Sequence, residues 1–174
     1  LDILKKSSQE CDLIITTGGA SQGGEDHIIK TINEYGNLDI WQLAIKPGRP
    51  MGLGTFNKKN ILMLPGNPVA AIICLYLYGF PLIRRLGNGL IRVPQRYLLP
   101  AGFNLENKKL GRREFLRGKI SYKDNSINIE KYENSGSAIL SSLRLTDGLI
   151  EINEETKNIY KGDLVKFIPF NEFY

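Results

Sequence analysis

The residues best placed to grip an anion sit in two proline-glycine corners. In AIKPGRPMGLG, Pro47 and Pro50 restrict the backbone on either side of Gly48 and give Lys46 and Arg49 defined directions. A rigid cationic corner suits an oxyanion; the alternative is a type II turn carrying two solvated cations. In LPGNPVAA, Pro65, Gly66, Asn67 and Pro68 precede an apolar run that reads as a helix, whose first amides lack intrahelical partners. Gly66 and Asn67 either cap that helix or present N–H groups to a ligand. A third stretch, TTGGASQGGEDH, contains Gly18, Gly19, Ser21 and Gly23. Its glycines admit positive φ and close backbone approach, and the helix start that follows favours negative charge. Glu25 and Asp26 occupy that helix start, where carboxylates stabilise the dipole without any ligand. A phosphate there would require a divalent cation between it and the acids, so Asp26 is either a cap or a metal-linked acid. His27, the single histidine, is assigned no role.

The elements that must hold these corners alternate between apolar strands and helices from Asp12 to Leu86, which predicts an α/β layer structure. DLIITT reads as a buried strand feeding the Gly-rich turn. DHIIKTINEYG reads as a helix that Gly36 closes, and IWQLAI as one strand ending at Lys46. PMGLGTF and NILML flank the polar turn NKKN as a hairpin. The apolar run at 69–83 is shorter than the roughly twenty residues of a membrane span and is broken by Gly79 and Pro81, so it reads as a core helix. LDILKKSSQ reads as the tail of an amphipathic helix already under way, and the chain is expected to be a fragment lacking upstream sequence. With cover lost beside Leu13 and Ile15, such a fragment is expected to self-associate and to be inactive.

Gly87, Asn88 and Gly89 stop the long helix, and the pattern then changes to short β-like runs separated by KDNS, NSGS and YKGD. A boundary near residue 90 divides an α/β part, 1–90, from an all-β part, 91–174, that reads as a small barrel or sandwich. In RREFLRGK, alternation sets Arg113, Phe115, Arg117 and Lys119 on one face and Glu114, Leu116 and Ile120 on the other. The first is a basic face, for an anion or simply solvated. Ser135 and Ser137 in NSGS are hydroxyl donors or turn residues.

Composition narrows the classes. The 23 Lys and Arg against 18 Asp and Glu give a formal charge of +5, but the basic residues are scattered and do not mark a nucleic-acid surface. Cys11 and Cys74 form no CxxC pair and, with one histidine, offer too few soft ligands for zinc. Two unpaired thiols suit a reducing cytoplasm.

Together, DLIITTGGASQGGEDH, WQLAIKPGRPMGLG and LPGNPVAA, followed by a β-rich tail with REFLRG and NSGSAILSSL, resemble the MoeA family of molybdopterin molybdenumtransferases, to which the gephyrin E domain also belongs. The resemblance implies the C-terminal part of such a protein: most of a three-layer molybdopterin-binding α/β domain of MoeA/MogA type, truncated at its N-terminus, then a small β-barrel domain. It implies insertion of molybdate into adenylated molybdopterin with Mg²⁺ and release of AMP. It also implies a cytoplasmic homodimer working beside a MogA-like adenylyltransferase, with no nucleic acid and no membrane. By position, Asp26 matches the family's acid near the pyrophosphate and its cation. Lys46, with Pro47 and Gly48, matches the motif that cradles molybdate, and Arg117 and Ser137 match residues that the barrel domain lends to the cleft. The Gly-rich loop and Pro65 to Pro68 would hold the pterin substrate. Gln42, where some relatives carry lysine, and Ala70, where many carry serine, each remove an anion contact. A non-catalytic scaffold of gephyrin type and a CinA-like nucleotide- or pterin-binding domain are the alternatives; keeping both Asp26 and Lys46 favours the enzyme, and the β-rich tail argues against the CinA type.

Asp26→Asn separates the two readings of Asp26, because asparagine caps a helix but carries no charge. The expected outcome is loss of Mg²⁺-dependent AMP release from adenylated molybdopterin, with little change in melting temperature. Normal turnover would leave Asp26 as a cap.

Overall fold

A computed structural model describes residues 1–20, 27–123, 125–132 and 140–173, which form two compact units. The first comprises residues 1–43 and 48–92; the second comprises 44–47 and 93–174.

The first unit is an α/β layer. Helix α1 (Asp2–Glu10) leads to strand β1 (Leu13–Thr17), and α2 (His27–Tyr35) runs directly into β2 (Gly36–Trp41). Gly36 is thus the first residue of a strand, where a side chain would collide with the Thr55 carbonyl of β4 (Gly52–Phe56). Strand β4 and β5 (Lys59–Leu64) form the expected hairpin, closed by Asn57 and Lys58 at φ of 50° and 64°. Two successive left-handed residues are what a tight two-residue turn demands, here supplied without glycine. The sheet order is β1-β5-β4-β2, with β1 parallel to β5 and the other pairs antiparallel. Helix α2 buries Ile29 and Ile32 against a cluster containing Ile14, Phe56, Ile61 and Met63. Full burial of each such side chain contributes about 1.5–3 kcal/mol.

From Pro68 to Leu86 the chain is one continuous helix: α3 (Pro68–Cys74), a wider π-type stretch at Leu75–Gly79, and α4 (Phe80–Leu86). At 19 residues and a mean hydropathy of 1.6 it is longer than its apolar run and, by length and composition alone, could cross a membrane. Val69, Ala70, Ala71, Ile73 and Cys74 are nevertheless buried within the protein, and Arg84 and Arg85 occupy the last turn. Gly79 and Pro81 do not end it: the π-type stretch lies just before Pro81, where the hydrogen-bond ladder must shift around a residue that lacks an N–H.

Strand IWQLAI is not one strand. Gln42 adopts φ of 65°, which ends β2 at Trp41, and Ile45–Lys46 forms a separate strand, β3, in the other unit's sheet. There the order is β3-β7-β9-β10-β6, with β8 also paired to β7. These strands are β6 (Tyr97–Pro100), β7 (Arg113–Lys123), β8 (Ser126–Lys131), β9 (Gly148–Ile152) and β10 (Leu164–Pro169), and a short helix α5 (Ser141–Arg144) precedes β9. Just after β6, Ala101 bridges Ile129 of β8 and the Gly102 N–H donates to the Ile129 carbonyl at 2.9 Å, which closes the strands into a barrel. Phe103, Ile129, Ile150, Ile152, Val165 and Phe167 fill it. Closure leaves no long free edge, the standard solution for a small all-β unit.

The two thiols occupy different environments. Cys74 is fully buried, and burial pushes its thiol up to about 12, whereas Cys11 is half-exposed and donates from Sγ to the Ser7 carbonyl. Thiolate is the reactive form, so Cys74 is inert at pH 8. An aromatic disulfide reagent should modify Cys11 and reach Cys74 only after denaturation. Equal rates for both would contradict this packing.

Candidate functional site

In the first unit, β1 and β5 end side by side, with Thr17 opposite Leu64. The Gly18 N–H donates to the Leu64 carbonyl at 3.0 Å, and a Cβ on Gly66 would lie 3.4 Å from Gly18 Cα. The Gly-rich turn and the PGNP corner therefore meet backbone to backbone, beyond the carboxyl ends of two parallel strands. In open α/β sheets that is where ligands bind. Gly18 and Gly19 have φ of 84° and 72°, a conformation that favours glycine. Trp41 ties the turn to the far edge of the sheet, its Nε1–H donating to the Ala20 carbonyl at 2.8 Å. Ser21, Gly23 and Asp26 lie outside the described residues.

Asn67 resolves as the helix cap: its Oδ1 accepts from the Ala70 N–H at 3.2 Å, and Pro68 begins α3. Ala70 is buried with its amide capped in this way. Gly48, at φ of 116°, accepts from the Met51 N–H at 3.1 Å, with the Cys74 Sγ of α3 3.9 Å away. Arg49 is exposed and donates from Nη2 to Gln42 Oε1 at 3.3 Å. Gln42 thus engages the second cation of the KPGRP corner.

The first cation belongs to the other unit. Parallel pairing sets Ile45 opposite Arg113 and Lys46 opposite Glu114, and the Arg113 N–H donates to the Ala44 carbonyl at 2.9 Å. The Lys46 Nζ lies 3.4 Å from both carboxylate oxygens of Glu114, and the Lys46–Pro47 peptide is cis. The Glu114 side chain is 7% exposed and that of Lys46 is 58% exposed, so the ammonium faces solvent above a buried carboxylate.

On the opposite face of β7, the residues read as a basic stripe are mostly covered rather than solvated. Phe115 and Arg117 are buried. Arg113 is clamped between Glu151, at 3.0 Å, and Glu154, at 3.2 Å, while Arg96 reaches the buried Glu151 at 2.8 Å. Hydrogen bonding to its own backbone, then to Arg113, holds the Glu154 carboxyl below the usual carboxylate range. Burial lowers Arg117 from the ordinary guanidinium value, with Tyr132 acting in the other direction. Arg117 lies three positions beyond Glu114 on β7, and strand alternation sets it on the face of Arg113 and Phe115. Ser135 and Ser137 lie outside the described residues. Among the described residues, no group of three or more His, Cys, Asp or Glu could hold a metal ion. Sequence reasoning missed Glu114 as the partner of Lys46 and Trp41 as the brace of the Gly-rich turn. The first depends on a pairing across 68 positions that no local pattern announces.

Two parallel strands whose ends carry adjacent turns, followed by a small closed barrel, define an α/β domain with an appended barrel domain. Residues 1–85 match the family model for a "Probable molybdopterin binding domain", and residues 99–170 match the "MoeA C-terminal region (domain IV)". The chain thus carries both of these domains, in that order. It is 32% identical over 167 residues to the molybdopterin molybdenumtransferase of Haemophilus influenzae, covering 95% of this chain and 41% of that protein. It is 28% identical to the gephyrin of Dictyostelium discoideum, covering 96% of this chain and 26% of that one. The solved molybdopterin biosynthesis MoeA protein from Pyrococcus horikosii shares the fold, with a TM-score of 0.75 at 24% identity over 97% of this chain and 40% of that one. The chain therefore spans less than half the length of these relatives.

Gly19 offers a direct test of the turn. A Cβ there would meet Ile28 Cδ1 at 2.9 Å in a left-handed conformation, whereas Gly111, also left-handed at φ of 84°, has nothing within 4 Å. Both alanine variants should lose about 1 kcal/mol from backbone strain, and Gly19→Ala should lose more through Ile28. Urea denaturation of the two variants checks the difference; equal losses would contradict the contact.

Proposed function

We propose that this chain is part of an enzyme of molybdenum cofactor biosynthesis that inserts molybdate into adenylated molybdopterin and releases AMP. The observation that carries the reading is the solvent-facing ammonium of Lys46, fixed by backbone register beside Pro47 in a chain that also brings two anion-suited turns together. Residues 1–90 would provide the pterin-binding part, through Gly18, Gly19, Ser21, Gly23 and Gly48 and the Pro65 to Pro68 corner, and residues 91–174 the barrel. Lys46 and Pro47 would receive molybdate, a tetrahedral dianion that charge-assisted donors hold well. Ser137 would complete the donor set, whereas Arg117, which strand alternation sets on the opposite face of β7 from the Lys46–Glu114 pair, does not join it.

Positioning and electrostatic stabilisation are sufficient for such a transfer, and no covalent nucleophile is required. Asp26 is the residue we propose for Mg²⁺, a hard cation that suits carboxylate and phosphate oxygens. A cytoplasmic homodimer that receives adenylated molybdopterin from a MogA-like adenylyltransferase belongs to the same proposal. The free state of Cys11 and Cys74 is consistent with a reducing compartment.

Lys46→Met removes the charge while keeping much of the aliphatic stem. Cofactor formation from adenylated molybdopterin and molybdate should fall by about ten- to a thousandfold, the scale of losing one positioned electrostatic donor. Melting temperature should fall somewhat, because the substitution leaves the buried Glu114 carboxylate without its ammonium, so turnover is compared at a temperature where the variant remains folded. Wild-type cofactor formation by this variant would overturn the assignment.

A further inference from the structure

The Lys46–Glu114 pair has features that a purely structural ion pair does not need. Both Nζ–oxygen distances are 3.4 Å, at the long end of hydrogen-bond range, and they are equal, so the ammonium sits astride the carboxylate without a short bond to either oxygen. The carboxylate is buried and the ammonium is exposed. Backbone pairing between β3 and β7 fixes where both side chains start, independently of the ion pair. A pair with both partners exposed would contribute little once solvent screens it, whereas here one partner is withdrawn from solvent.

From this we infer that Glu114 is a built-in counter-ion that competes with an incoming oxyanion for Lys46 and keeps its binding weak enough for the anion to be handed on. The inference rests on the proposed role of Lys46. A dianion that contacts Lys46 must approach a negative charge that cannot move away, because Glu114 is anchored within β7 and enclosed. At an effective dielectric of about 20, one unit charge repels another across about 6 Å by somewhat under half of the attraction felt at contact. Glu114 therefore offsets part of the attraction that Lys46 supplies. The ammonium retains hydrogen-bonding capacity toward the ligand, since lysine carries three donors and both contacts to Glu114 are long. Glu114 acts through Lys46 and is a positioning residue, not a catalytic one.

Damage to packing can only weaken binding, so a gain in affinity is the diagnostic readout. Molybdate is titrated calorimetrically into the purified protein as wild type, Glu114→Gln, Glu114→Met and Lys46→Met, with melting temperatures measured in parallel. Glu114→Gln keeps the shape, and Glu114→Met keeps the volume without leaving a polar group to satisfy. Either should bind molybdate about tenfold more tightly than wild type, with a lower KM for molybdate and no gain in kcat. Lys46→Met should bind about tenfold more weakly. If Lys46→Met weakens binding but neither Glu114 variant tightens it, the counter-ion role fails and the proposed function of Lys46 survives. If Lys46→Met leaves binding unchanged, or wild type does not bind molybdate, both fail. Loss of folding in both Glu114 variants would make the carboxylate structural and would also overturn the inference.

Discussion

The short parallel pairing of Ile45 and Lys46 with β7 is the constraint on which the rest depends. Two register positions and one bond from the Arg113 N–H to the Ala44 carbonyl draw four residues out of the α/β part of the sequence and build them into the barrel's sheet. A strand of two residues has little stability of its own, so its position is secured by its neighbours. Glu151 anchors Arg113 from the next strand, Glu154 holds the other arm of the same guanidinium, and Arg96 neutralises the second oxygen of Glu151. Glu151 is almost completely enclosed, and a buried carboxylate stripped of its cations would be strongly destabilising. The ionic network thus fixes β7, and β7 fixes Lys46.

A second pairing does the corresponding work in the first unit. Because β1 and β5 run parallel, their carboxyl ends coincide, and the turns that follow must share one small region. Glycine at positions 18 and 66 lets those turns touch without side chains between them. Asn67 commits its Oδ1 to capping α3, while the peptide groups of the two turns meet beside it. The KPGRP corner is divided accordingly: Lys46 and Pro47 are counted with the barrel, while Gly48 and Arg49 pack with the α/β unit, Arg49 against Gln42.

Local signals in the sequence were good guides wherever structure is local. The NKKN hairpin, the helix before Gly36, the strands of the barrel and the amphipathic start at Asp2 all follow from period and turn chemistry. What escaped is long-range or conformational. A left-handed Gln42 divides an apolar run that otherwise reads as one strand, and glutamine carries no turn signature to announce it. The basic face of β7 resembled a solvated stripe because alternation cannot reveal that carboxylates from β9 and the segment beyond it will cover Arg113. Glu114 was legible as a residue on the other face, but its cation comes from a strand far earlier in the chain. Four of the expected site residues, Ser21, Gly23, Asp26 and Ser137, lie outside the described residues, so the part of the candidate site described is the part built on strands and on the turns that end them.

The central claim is that Lys46 marks an oxyanion position, and the most direct measurement is a crystal of the protein soaked in tungstate and recorded at the tungsten absorption edge. The account predicts an anomalous peak within hydrogen-bond reach of the Lys46 Nζ, about 2.7–3.2 Å from a tungstate oxygen. A peak located elsewhere, with Lys46 still directed at Glu114 alone, would contradict it.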